Sequence, residues 1–295
     1  MKLKLLFTYI IFTIFSPNIQ AQKIDFKWEK DSINGKLIDK IAMSVPFTIE
    51  NKTYRFQFDL GADVTLIYDK CFEKTELIKS KEITPNDFAA GHTVFIVKNQ
   101  NLKIDNFEIK NYDLRGLLNF DQGEVCGVVG SDIFKDKYLT INFSKKEIEV
   151  SDKLKNKFIK QIQFVDAKYI NNKLHVPITI DDKTYYFLYD SGASIFPMIT
   201  YKENMKQIIE NREIVENFNL KNFNNPLILR AVDINKNIQL GNNNFMVKQL
   251  WFTDEDYFGF KQQDIDGIIG NDFFYDKIIV LDFKNKKFGI VNNDI

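Results

Sequence analysis

The sequence predicts a mostly β protein made of two homologous lobes with short helices. The first observation behind this prediction is an internal repeat, in which residues 45–62 align without a gap on residues 176–193, so that Asp59 matches Asp190. A second matched pair follows, residues 127–134 and 267–274. This spacing exceeds the period of about 20–50 residues that solenoids show. It therefore indicates duplication of a whole lobe.

The second observation is that short β-prone segments recur through both copies. They are rich in β-branched, aromatic and aliphatic residues and are separated by turn residues, as strands are. We predict turns at 51–52 and 181–182 between the first two strands of each copy. The predicted strands are residues 45–50, 53–59, 64–67, 93–97, 102–109, 138–143 and 147–150 in the first copy, and 176–180, 184–190, 195–199, 238–240, 245–252, 278–283 and 288–291 in the second.

The third observation is that helical signals are sparse. Residues 201–210 place Tyr201, Met205 and Ile208 at helical spacing, which predicts one helix there. Residues 131–134 and 271–274 are expected to form short helical turns, with Ser131 and Asn271 as N-caps.

The chain is expected to be exported. Lys2 and Lys4 give a positive start, residues 5–15 are apolar, and a cleavage site follows Ala21, so residues 1–21 are predicted to be a signal peptide. The alternative is a retained membrane anchor, although eleven apolar residues are short for a membrane span. The mature chain would then be periplasmic or extracellular.

We divide the remainder into two lobes and a linker. The first lobe is expected to span residues 33–152 and the second residues 161–295, with a basic linker at 153–160. Both cysteines, Cys71 and Cys126, fall in the first lobe. Export would place them in an oxidising compartment, where they could pair. Two free buried thiols are the alternative, since sequence does not supply the Cα separation that a disulfide needs.

Composition excludes several classes of function. Lysine plus arginine equals aspartate plus glutamate at 40 each, so the chain lacks the positive charge of a nucleic-acid-binding protein. The only histidines, His92 and His175, lie far apart in the repeat, which argues against a zinc site. We therefore expect no nucleic acid, no metal and no cofactor.

Each copy ends its first hairpin on an Asp-x-Gly-Ala loop, at residues 59–62 and 190–193, and each has a later apolar-apolar-Gly segment, at 128–130 and 268–270. In these motifs the sequence resembles the pepsin and retropepsin class of aspartic proteases, from about residue 45 onward. The resemblance implies two β-barrel-like lobes of the pepsin/retropepsin fold, with a catalytic pair formed by Asp59 and Asp190. The supporting positions that it implies are Ser191, Gly61, Gly192, Ala62, Ala193, Gly130 and Gly270.

The resemblance also implies a β-hairpin flap that covers the substrate. We expect its tip at Ala90, Gly91 and His92, because small residues suit a mobile hairpin. An ordinary surface turn is the alternative for these residues. In the second lobe, residues 222–226 occupy the corresponding region and are a weaker candidate.

One position departs from the family pattern. The residue after each Asp is usually Thr or Ser, whose hydroxyl bonds to the other lobe; Ser191 can do this and Leu60 cannot. We therefore expect an aspartic endopeptidase that acts on extended peptides or proteins, and a monomer, because one chain supplies both aspartates. The alternatives are an inert peptide-binding protein of the same fold and a surface-associated protein whose lobes only make contacts.

Overall fold

The computed structural model describes residues 21–154, 161–222 and 225–291. Within these ranges the chain forms twenty-two strands, four α-helices and two 3-10 helices, and each helix has four residues. The strands are β1 Gln22–Asp25, β2 Lys27–Ile33, β3 Lys36–Ile49, β4 Lys52–Phe58, β5 Leu66–Tyr68, β6 Glu82–Ala89, β7 His92–Ile104, β8 Phe107–Leu117, β9 Val125–Val129, β10 Tyr138–Asn142, β11 Glu147–Ser151, β12 Ile162–Asp166, β13 Lys168–Ile170, β14 Lys173–Ile180, β15 Lys183–Tyr189, β16 Met198–Tyr201, β17 Ile214–Asn222, β18 Asn225–Leu240, β19 Asn243–Thr253, β20 Gly267–Ile269, β21 Ile278–Asp282 and β22 Lys287–Val291. The α-helices are Asp69–Phe72, Glu76–Lys79, Lys206–Ile209 and Phe260–Gln263, and the 3-10 helices are Ser131–Phe134 and Asn271–Phe274. The predicted mostly β class is confirmed.

Two sheets of eight strands dominate the structure, and they have the same strand order. The first is β2-β3-β4-β9-β5-β8-β7-β6 and the second is β13-β14-β15-β20-β16-β19-β18-β17. In each sheet the strand before the Asp loop, β4 or β15, pairs in parallel with a central strand, β9 or β20. The strand after the loop, β5 or β16, pairs antiparallel with the other edge of that central strand. Each Asp loop therefore straddles one central strand.

A third sheet of six strands joins the two halves of the chain. Its order is β1-β11-β10-β21-β22-β12, so each half contributes three strands. At its centre β10 pairs antiparallel with β21, from Tyr138 opposite Asp282 to Asn142 opposite Ile278. Leu139 and Leu281, which face each other in this ladder, are buried in the main apolar core. The halves therefore share a continuous sheet.

The structure also bears on the segments at the ends of the predicted lobes. β1 lies before residue 33 and β2 ends at it, and β2 belongs to the first eight-stranded sheet. The predicted signal peptide lies outside the described residues except for Ala21, as do residues 155–160 of the predicted linker. Within the described ranges, no helix has the length and apolar character that crossing a membrane requires.

The first hairpins of the two halves use matching tight turns. Asp181 and Asp182 have φ of 49° and 63° between β14 and β15, which agrees with the predicted turn. In the first half the turn falls at Glu50 and Asn51, with φ of 49° and 61°, one residue earlier than predicted. Two successive positive φ angles are typical of the type I′ turn that matches strand twist.

Several predicted elements differ from the structure in extent: the strands predicted at 64–67 and 195–199 begin only at Leu66 and Met198, and two others differ more. The helix predicted at 201–210 is only Lys206–Ile209, because Tyr201 instead ends β16 and pairs in parallel with Thr253. The single strand predicted at 102–109 is divided by a turn after Ile104, so that its residues belong to β7 and β8. In both places sheet pairing overrides the local pattern.

Cys71 and Cys126 form a disulfide, with their Cα atoms 5.5 Å apart. The alternative of two free thiols is therefore excluded. The bond joins the helix Asp69–Phe72 to β9, the central strand on which the first Asp loop rests. It thereby closes a loop across a sequence separation of 55 residues within the first half.

Replacing both cysteines by serine is expected to lower the free energy of unfolding by about 2–4 kcal/mol, because the unfolded chain regains the entropy of that loop. Urea denaturation of the wild type and the double variant would measure the difference. The wild type unfolded with a reducing agent is the control and should match the double variant. An unchanged midpoint would show that the bond does not constrain the unfolded state.

Candidate active site

Asp59 is held by its own loop and by the central strand of the first sheet. It follows β4, and its backbone N–H donates to the carbonyl of Val129 at 3.0 Å. Its carboxyl Oδ1 accepts hydrogen bonds from the backbone N–H groups of Gly61 at 2.9 Å and Ala62 at 3.3 Å. The side chain is thus fixed in place by a turn that begins at the same residue.

Asp190 has the equivalent arrangement in the second half. Its backbone N–H donates to the carbonyl of Ile269 at 3.0 Å, and its Oδ1 accepts from the N–H of Gly192 at 2.7 Å. Ala193 follows, and its N–H donates to the backbone carbonyl of Asp190 at 3.3 Å. The two loops therefore present their carboxyl groups in the same way.

The two loops meet, and each carboxyl group packs against the glycine of the opposite loop. A Cβ atom on Gly61 would lie 2.4 Å from Cγ of Asp190, and a Cβ on Gly192 would lie 2.6 Å from Cγ of Asp59. No side chain fits at either position without moving a carboxyl group. The two carboxyl groups are thereby brought together where the loops meet.

This contact changes the ionisation of the pair. Burial raises the pKa of Asp59 well above its usual range, and the negative charge of Asp190 raises it further. Hydrogen bonds from Gly61 and Ala62 oppose the shift and do not cancel it. Two carboxyl groups in contact cannot both ionise at low cost, so the pair retains one proton.

A serine hydroxyl bridges the two halves beside the carboxyl pair. Ser191 is fully buried; its Oγ accepts from the N–H of Leu60 at 2.9 Å and donates to the carbonyl of Phe58 at 3.0 Å. Leu60, at the matching position, is 2% exposed and belongs to the main apolar core. A leucine side chain has no hydrogen-bonding oxygen. The hydroxyl bridge between the two loops therefore comes from the second half only.

Gly130 and Gly270 let the next segment of each half pack directly on an Asp loop. A Cβ on Gly130 would lie 2.6 Å from the backbone carbon of Val64, and one on Gly270 would lie 2.0 Å from the carbonyl oxygen of Ala193. Backbone rather than a flexible side chain is in the way, so larger residues would displace the loops.

The residues after these glycines support the loops in a way that the sequence did not predict. Neither Ser131 nor Asn271 caps its helix, because the N-cap residues are Gly130 and Gly270. The Ser131 hydroxyl donates to the carbonyl of Ala62 at 3.0 Å. The Asn271 amide donates to the carbonyl of Ser191 at 2.9 Å. The N-cap prediction was therefore wrong, and the duplicated position of these residues was the available signal.

The carboxyl pair lies in a cleft of about 330 Å³ that residues from both halves line. From the first half the lining residues are Gln57, Asp59, Gly61, Ala62, Tyr68 and Gln122. From the second half they include Asp190, Gly192 and Ala193, Ile268 of β20, and Ile265 just before that strand. The other second-half residues form a largely apolar wall, which the sequence did not predict. A concave site that combines apolar surface with convergent polar groups is typical of a ligand-binding pocket.

The predicted flap residues form a hairpin tip. Ala90 and Gly91 make the turn between β6 and β7 with φ of 50° and 82°, and His92 begins β7. None of the three lines the cleft, whereas β17 and β18 of the second half line it through Leu220, Lys221, Leu227 and Leu229. β17 ends and β18 begins within residues 222–226, the weaker of the two predicted flap regions. Residues 223 and 224 of that region lie outside the described residues.

Across the part of the chain that the structure describes, no three His, Cys, Asp or Glu side chains are arranged to hold a metal ion. No protein-family model and no curated protein matches the chain.

Replacing Ser191 by alanine is expected to lower the free energy of unfolding by about 1–3 kcal/mol, because the buried N–H of Leu60 loses its partner. Chemical denaturation would measure this loss. Ser32→Ala, at an exposed strand position, is the control and should change stability little. Equal stability of the two variants would mean that the bridging hydroxyl does not stabilise the contact between the halves.

The raised pKa of Asp59 should make the folded protein less stable as pH rises. Between the pKa of an unfolded Asp, about 3.9, and the raised folded value, the unfolded state binds fewer protons than the folded state. The free energy of unfolding should then fall by up to about 1.4 kcal/mol per pH unit from this group. Asp59→Asn removes the effect, so the variant should gain stability over the wild type progressively as pH rises above about 4.

Urea denaturation at each pH unit would give the two slopes. Asp63→Asn, an exposed change in the same loop, is the control and should run parallel to the wild type. Parallel slopes for Asp59→Asn as well would contradict a shared proton.

Proposed function

We propose that this chain is an aspartic endopeptidase of the pepsin and retropepsin kind. The observation behind this proposal is the meeting of Asp59 and Asp190 from equivalent loops, each carboxyl group packed on the opposite glycine at the cleft between the halves. The matching strand orders of the two large sheets agree with the pepsin-like fold that the motifs suggest. The substrate would be a peptide or protein segment in extended form.

The proposed reaction uses the single proton of the carboxyl pair. The ionised carboxylate removes a proton from a bound water while the protonated carboxyl group donates its proton to the substrate carbonyl oxygen. The water oxygen bonds to the carbonyl carbon and forms a tetrahedral intermediate. The carbon–nitrogen bond then breaks as the amine nitrogen takes a proton from the carboxyl group that received one from water, while a hydroxyl of the intermediate returns its proton to the other carboxylate and becomes the product carbonyl. No metal or covalent intermediate is needed.

The proposed setting is the periplasm or the extracellular space. The predicted signal peptide supports export, and the disulfide between Cys71 and Cys126 suits an oxidising compartment. A monomer would suffice for activity, because both aspartates come from one chain.

Leu60 favours a second candidate, an inert protein that binds peptides in the same cleft. Its buried side chain occupies the position from which a hydroxyl would complete the second bridge between the loops. With one bridging hydroxyl in place of two, the loops would hold the carboxyl pair less firmly. Catalytic geometry is sensitive to misplacement of about 1 Å, so such a pair would be inactive in this candidate.

Cleavage of a mixed peptide library from acidic to neutral pH tests the enzyme proposal. Asp190→Asn should reduce cleavage by a factor of about 10² to 10⁴, because the pair loses its general acid–base function. Asp182→Asn, in the exposed turn before β15, is the control and should cleave as the wild type does. Equal cleavage by wild type and Asp190→Asn would refute a role for the pair.

Leu60→Thr separates the two candidates. If the native chain is an enzyme, the wild type cleaves and Leu60→Thr changes its rate without creating activity. If the native chain is inert, folded wild type binds a non-hydrolysable peptide without cleaving any library member, and Leu60→Thr gains cleavage.

A further inference from the structure

The two sides of the cleft differ at a position that the repeat makes equivalent. Gln57 and Leu188 each lie two residues before the Asp of their half. They also occupy the same place in their sheets, where Gln57 pairs with Ser44 and Leu188 pairs with His175. Both line the cleft. The duplicated site therefore has an amide on one side of the carboxyl pair and an aliphatic group on the other.

Tyr68 adds a second polar group on the side of Gln57. Its side chain is fully buried, its ring packs on Phe120 with centroids 4.6 Å apart, and it lines the cleft. Its hydroxyl has no hydrogen-bond partner among the described residues. Burial and the charge of Asp59 raise its pKa, so the hydroxyl keeps its proton and can donate. A buried hydroxyl without a partner is costly, and a bound acceptor would remove that cost.

Gln57 complements this donor with an acceptor. Its amide nitrogen points to Oδ2 of Asp59 at 3.5 Å, a long contact that leaves the amide oxygen without a donor in the described part of the chain. The tyrosine donor and the glutamine acceptor together match a group that both accepts and donates hydrogen bonds. A carboxamide does both. A carboxylate cannot donate and would face the charge of the catalytic pair, and an aliphatic side chain would leave both groups unpaired.

The other side of the cleft offers mainly apolar surface around Leu188, and Lys173, Lys221 and Gln263 of the second half also line the cleft. This wall comes from the second half and consists chiefly of Leu188, Phe196, Ile199, Phe258, Phe260 and Ile268. A large aromatic or branched aliphatic side chain would bury its surface there, a contribution of about 25 cal/mol per Å² of apolar area. Among these six residues a polar side chain would find no side-chain hydrogen-bond partner.

We propose that the cleft selects peptides with an Asn or Gln side chain on one side of the scissile bond and a large apolar side chain on the other. Gln57 and Tyr68 bind the carboxamide, and the second-half wall binds the apolar group. The proposal rests on the endopeptidase function, and it adds the substrate class.

Binding of non-hydrolysable peptides tests the proposal without relying on catalysis. Four peptides with a hydroxyethylene link in place of the scissile bond differ only in the two flanking side chains: Gln–Phe, Phe–Gln, Leu–Phe and Phe–Leu. Calorimetry with the whole mature chain should show that one Gln peptide binds about ten-fold or more tightly than the Leu peptide of the same order. The order of the better peptide identifies which side of the bond the first half reads.

Tyr68→Phe removes only the hydroxyl and should abolish most of this preference. Its melting temperature should equal or exceed that of the wild type, because the hydroxyl has no partner to lose. Gln57→Leu, which copies the second half, should turn the preference towards Leu. Tyr201→Phe is the matched control, since Tyr201 ends β16 as Tyr68 ends β5 and does not line the cleft.

Several outcomes would overturn the proposal while leaving the proposed enzyme intact. The Leu peptides could bind as tightly as the Gln peptides, or Tyr68→Phe could leave the preference within two-fold. A lowered melting temperature for Tyr68→Phe would show that the hydroxyl has a structural partner. Failure of all four peptides to bind would also overturn it. Selective binding without cleavage of the peptide library would instead support the substrate class and reject the catalytic function.

Discussion

The contact between each carboxyl group and the glycine of the opposite loop is the constraint on which the rest of this structure depends. Gly61 and Gly192 must lack a Cβ for Asp59 and Asp190 to meet. That contact buries two acids together, so it raises the pKa of Asp59 and keeps a proton at the cleft. This close approach makes the pair costly to ionise.

The surrounding structure fixes the positions of the two loops. The six-stranded sheet joins the halves through β10 and β21, so their relative position does not depend on the loops alone. Within each half, the central strand β9 or β20 supports its Asp loop, and the disulfide fixes a helix to β9. A rigid support is what precise placement of two side chains requires.

The two Asp loops are equivalent in position, and their side chains differ. Ser191 bridges the halves while Leu60 has joined the apolar core, and Gln57 faces the cleft where its counterpart is Leu188. A symmetric pair would treat both sides of an extended peptide alike. The differences instead place Gln57 on one side of the carboxyl pair and Leu188 on the other, which is the basis of the substrate class that we propose.

The sequence by itself determined the mostly β class, the repeat and the two Asp-x-Gly-Ala loops, because period-two patterns and turn residues are local signals and a repeat is visible by alignment. It also showed that Leu60 lacks a hydroxyl. Only the tertiary structure decided that Cys71 pairs with Cys126, that Ser131 and Asn271 support the loops, and that β17 and β18 line the cleft. Those facts depend on which distant segments come together, and neither propensity nor spacing encodes that distance.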